Sequence, residues 1–148
     1  MRLAPKAIFL LHLAATLAMT GIIWFIQIVH YPLLTLVGAA GFTTYEAAHI
    51  RLAIWTVIPF MGTELSTGGL LLWCRPSGVT RGQVWCGLAL LGLIWGSTVL
   101  LQVPQHHILA SGFDAAAHQR LVASNWIRTI AWSARSWLVL RMLWGVVR

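Results

Sequence analysis

Five of the six histidines gather around two connections of the chain: His30, His49, His106, His107 and His118. Neutral imidazole is the commonest metal ligand in proteins. Glu46 stands three residues before His49, and on a helix Tyr45, Glu46 and His49 share a face. This Glu-x-x-His spacing is also that of di-iron carboxylate bundles, but such sites need a second motif and two further carboxylates. The chain has only three acidic residues. The set His30, Glu46, His49, His106, His107 and His118 therefore fits a mononuclear copper, iron or zinc ion better. Haem is the alternative, with axial His30 and His107 from different spans and Arg128 on a propionate. Adjacent His106 and His107 point in different directions, so only one of them is expected to ligate. The competing reading is that these histidines simply hydrogen-bond at a membrane surface. Tyr31, Tyr45 and Trp126 lie close in sequence and could hydrogen-bond or relay electrons there, or serve as interface residues.

The elements that must position these groups are apolar. Of 148 residues, 59% are hydrophobic and 9% charged, and the mean hydropathy is +0.80. A soluble domain carries roughly 25% charged residues. The expectation is an all-α integral membrane four-helix bundle forming one domain over 1–148. Its spans fall at about 7–29, 52–73, 84–103 and 121–147, each long enough to cross a bilayer. The long apolar run at the start favours an uncleaved first helix over a secretory signal. Pro104 is expected to end the third span. Short helical stretches are expected in both outer connections: one from Thr43 runs into span two, and one is capped by Ser111 or Asp114.

The net charge of +7 does not indicate nucleic acid, because the basic residues are scattered at span ends and within spans. They set orientation instead. Arg2, Lys6, Arg75, Arg81, Arg141 and Arg148 lie on one side, Arg51 and Arg120 on the other. Both termini are then cytoplasmic, and the histidines face outward from a bacterial inner membrane. Cys74 and Cys86 flank a cytoplasmic loop and are expected to stay thiols.

Three charges fall at bilayer depth: Glu64, Arg128 and Arg135. Such residues are costly in lipid and pair or function. Glu64 and Arg135 lie at matching depths and are expected to form a structural ion pair. Arg128 has no assigned partner. With Asn125 it would hold the polar part of a lipophilic substrate, and Tyr31 joins them as a candidate catalytic group; a snorkelling arginine is the plainer alternative. His118, Asn125, Arg128, Thr129, Trp132 and Arg135 share about a third of the helix circumference. His12, Thr16, Thr20, Gln27 and His30 share a face of span one, with His12 as a packing group. Gly92 and Gly96 have the spacing of close helix approach.

Three stretches carry a resemblance: HYPLL at 30–34, PFMGTELSTGGLLLW at 59–73, and VPQHHILASG with NWIRTIAW at 103–112 and 125–132. Together they resemble the small four-helix bacterial membrane proteins of the anthrone-oxygenase-like group, much of which is a domain of unknown function. The resemblance matches Pro104, His107, Asn125, Arg128 and Thr129. It implies a membrane bundle and, from a minority of members, oxygenase chemistry on aromatic polyketides without a cofactor. The additional histidines of this chain depart from that pattern.

The sequence thus suggests a membrane oxidoreductase with a metal or haem site, acting on a quinone or aromatic molecule. Two rivals stand beside it. One is a small transporter using Glu64 and Arg135. The other is a structural subunit, a homo-oligomer or part of a larger membrane complex.

Overall fold

The computed structural model describes residues 3–148; Arg2, counted in the charge asymmetry, lies outside them. All regular structure is helical, with no strand among the described residues. The long elements are α1 (Leu3–Phe25), α2 (Ala39–Leu70), α3 (Arg81–Ser97) and α5 (Ala115–Val147), with a short α4 (Val103–Leu109) continuing from α3. Two helical stretches, Ala4–Leu36 and Arg81–Leu109, are long and apolar enough to cross a membrane. At 32 and 33 residues, α2 and α5 extend roughly 50 Å. Each is longer than the roughly 30 Å thickness of a hydrocarbon core. That surplus carries the helical stretches expected in the connections.

The chain signals its own helix ends. Thr80 and Gln83 form a reciprocal capping box at the start of α3. The Asp114 carboxylate accepts from the Ala117 amide at 2.7 Å and caps α5. Pro104 does not end the third helix, contrary to the sequence expectation. A π turn at Thr98–Gln102 precedes it, and the chain stays helical to Leu109. The wider turn shifts the preceding carbonyls away from a proline ring that would clash in regular α-helix. The first span repeats the device, with a π turn at Ile26–His30 just before Pro32.

Packing is uneven around the bundle. Helix α1 lies against α2 and α5, and α3 against α5, while α2 and α3 meet along the thinnest seam. Three apolar clusters stack along the axis. They centre on Phe9 with Met142, on Met19 with Trp132, and on Tyr31 with Phe42 and Leu121. The exterior is also apolar, exposing Leu11, Phe25, Ile28, Trp55, Leu100, Ile130 and Trp137. Gly92 and Gly96 do not serve close approach within the bundle: a Cβ added at either would meet nothing. The tight approach is at Gly78, which has φ +93 and whose added Cβ would run into the Gly145 carbonyl. Gly78→Ala is expected to destabilise the fold by at least about 2 kcal/mol, read as a lower melting temperature in detergent.

Between the first two apolar clusters, one arginine gathers all four long helices. Arg135 Nη2 donates to Glu64 Oε1 at 2.9 Å, and its Nη1 donates to the Gly87 carbonyl. Thr16 also donates to Glu64 Oε1. His12 Nδ1 is 2.8 Å from Thr67 Oγ1, and its Nε2 faces Arg135 at 3.4 Å. Glu64 and Arg135 are both excluded from solvent.

Candidate metal centre and lateral groove

Three segments meet at the far end of the bundle from the termini. The first turns of α2 carry Glu46 and His49. The π turn after α1 ends on His30 and delivers Tyr31. Helix α4 carries His106. Donor atoms of Glu46, His49 and His106 lie within 4.8 Å of one another, close enough to hold one metal ion. Glu46 is fully buried, and its Oε2 has no hydrogen-bond partner. A buried carboxylate oxygen left unpaired is costly, and a bound cation would satisfy it.

Each imidazole of the group is held from outside. His30 Nε2 is 3.0 Å from His49 Nδ1, which leaves His49 Nε2 free. The Tyr31 hydroxyl is 3.2 Å from His106 Nε2, and His106 Nδ1 lies 2.6 Å from Glu46 Oε1. With the carboxylate ionised, His106 Nδ1–H donates to Glu46 and the Tyr31 O–H donates to Nε2. Ligating histidines are commonly oriented in this way through their second nitrogen. A metal ion would take the place of the proton between Glu46 and His106; the His106 proton would then sit on Nε2 and be donated to the Tyr31 oxygen, leaving Nδ1 and the carboxylate as ligands. Burial lowers the His49 pKa to about 4, and nearby His30 and His106 act in the same direction while Glu46 opposes them. His49 is therefore neutral near pH 7, the form that binds metal.

The remaining histidines take other places. His107 is exposed and lines a neighbouring groove outside the three-donor group, so His106 is the one of the adjacent pair that joins Glu46 and His49. His118 Nε2 donates to the Tyr31 carbonyl at 2.8 Å, and its ring packs 5.6 Å from that of Phe113. It positions Tyr31 and stands outside the group. Asn125, expected at the substrate, is wholly buried and donates to Gln27 Oε1 at 2.9 Å, away from the groove.

The thin seam between α2 and α3 opens into a groove of about 390 Å³. That is within the range of about 300–1,000 Å³ common for small-molecule sites. Its walls include Val57, Ile58, Met61 and Trp95, and its polar end holds Tyr31, His49, His106 and Arg128. The sequence reading did not name these wall residues, because apolar residues inside a span look alike whether they face a groove, a helix or lipid. It also missed Gln102, buried and bonded to Ser97 and Ser124 in α3 and α5. A glutamine at the end of an apolar run was its available signal.

Comparison with known protein families, curated proteins and solved structures finds no match to the chain. The chemistry of this end of the molecule rests on its own geometry.

Proposed function

We propose that the chain is a four-span inner-membrane oxidoreductase of oxygenase type, with one non-haem metal ion at its outward-facing end and a lipophilic substrate in the groove. The observation that carries this reading is the convergence of Glu46, His49 and His106 beside a groove open along a helix seam. Two imidazoles and one carboxylate with open coordination positions are the donor set of mononuclear iron oxygenases. Zinc takes the same three donors in hydrolytic sites, so metal identity separates redox from hydrolytic chemistry. A directly bound ion suits donors clustered around one point better than haem, which needs axial donors along a line through its plane. The apolar exterior and the Lys/Arg asymmetry support the membrane placement and its direction.

The transporter reading has less support. Beside Arg135 the open space is only about 10 Å³. That is room for one water at most. The ion pair is better explained as a clamp.

Metal analysis tests the proposal. Full-length protein purified in detergent and reconstituted anaerobically with iron(II) is expected to hold about one iron per chain. The Glu46→Gln/His49→Ala double variant should hold far less. Wild-type protein that retains no transition metal, or a double variant that binds as well as wild type, rejects the assignment.

A further inference from the structure

The chain contains three acidic side chains, and each is committed away from Arg128. Glu46 pairs with His106, Glu64 pairs with Arg135, and Asp114 caps α5. Arg128 is only 6% exposed, and its Nε has no hydrogen-bond partner. It lines the groove beside Tyr31. A guanidinium withdrawn from water without a counter-charge is strongly disfavoured. The anion that would balance it is absent from the protein's own side chains.

The rest of the groove describes what that anion is attached to. Its walls are mainly aliphatic, with Val57, Ile58 and Met61 opposite Trp95. Ile58 is also exposed on the outer face, so the groove opens sideways where lipid would lie. One guanidinium, held beside Tyr31, matches a singly charged, planar carboxylate, which it can grip with two parallel hydrogen bonds. A phosphate monoester would bring more charge than one guanidinium balances. A neutral quinone would leave that guanidinium uncompensated.

We propose that the groove binds a long-chain carboxylic acid in its ionised form, with the carboxylate on Arg128 beside the Tyr31 hydroxyl and the acyl chain running between α2 and α3 into the bilayer. The inference rests on the reading that the groove admits a bilayer-borne molecule, and it names that molecule's class. The carboxylate then sits next to the Glu46, His49 and His106 group.

The test uses metal-free, full-length protein in lipid nanodiscs, so it does not depend on the metal assignment. The probes are 11,12-dibromostearate and its methyl ester. Bromine quenches nearby indole fluorescence, and subtracting the signal of Trp95→Phe isolates the groove. The acid is expected to quench the Trp95 component at a membrane mole fraction at least tenfold lower than the ester. Arg128→Gln should abolish that preference, Arg128→Lys should keep part of it, and Ile58→Trp should lose it by filling the groove. Equal quenching of the Trp95 component by acid and ester, or no quenching of it, overturns the proposal with Trp95→Phe as the sole variant required. A preference that survives Arg128→Gln also overturns it. So does equal quenching by a brominated phosphatidylglycerol, which would place a phospholipid phosphate on Arg128. A protein that shows the acid preference but never holds metal sinks the metal centre alone. A protein that holds iron but treats acid and ester alike sinks this inference alone.

Discussion

An Arg135→Met variant is expected to lose about 3–5 kcal/mol of stability, the usual cost of removing one partner from a buried ion pair. The size follows from what remains. Glu64 keeps Thr16 as a donor but loses its cationic partner, and its Oε2 already has no hydrogen bond among the described residues. Two further contacts go with the guanidinium. The Gly87 carbonyl loses its side-chain donor, and His12 loses a neighbour. Adding Glu64→Leu should recover most of the loss, because a buried pair can often be replaced by apolar side chains of similar volume at little cost. Unfolding in mixed micelles, followed by circular dichroism, provides the measurement. A single variant as stable as the parent would show that the clamp contributes nothing. A double variant no better than the single would show that Arg135 acts through Gly87 and packing rather than through Glu64.

A second large effect is expected at the other end of the bundle. Glu46→Gln should weaken metal binding on the order of a hundredfold or more. Glutamine keeps the shape of the side chain but loses the negative charge that offsets the ion. Its amide can still accept from His106 Nδ1–H, so the metal-free site should stay assembled. His30→Ala removes only the group that orients His49, and losses of about 10–100-fold are typical of such supporting partners. Competition with a chelator of known affinity gives both values. Should Glu46→Gln bind as tightly as wild type, the carboxylate is no ligand, and His106 with its Tyr31 and Glu46 partners is a proton-holding group instead.

How much of this was legible in the residues varied with the kind of signal. Helical class followed from hydropathy over long stretches, and the helix before His49 from the spacing of Tyr45, Glu46 and His49. The cap of α5 was legible to within two residues, Ser111 or Asp114, because one side chain satisfies one local amide. Depth matching pointed from Glu64 to Arg135, since rise per residue is fixed along a helix. The choice between His106 and His107 was not legible. It depends on the rotation of α4, which is set by a turn whose residues, Thr98–Gln102, have no distinctive composition. The partner of Asn125, the Gln27 side chain, was not legible for a related reason: helix periodicity gives the face a residue occupies but not which neighbour on that face claims its amide. The groove was hidden because it arises from how α2 and α3 sit against each other, and no single stretch of sequence records that.

The two π turns have a consequence for how the histidine end can vary. Each winds five residues through on the order of a quarter-revolution less than regular α-helix would. In phase terms, each is a correction that resets the angular position of everything after it. Rewinding the one before Pro104 as ordinary helix would leave every residue of α4 unchanged in identity and rotate His106 off the bundle axis. The donor set is therefore specified by winding as much as by residue type, and a relative with all three donors but regular winding there would lack the centre.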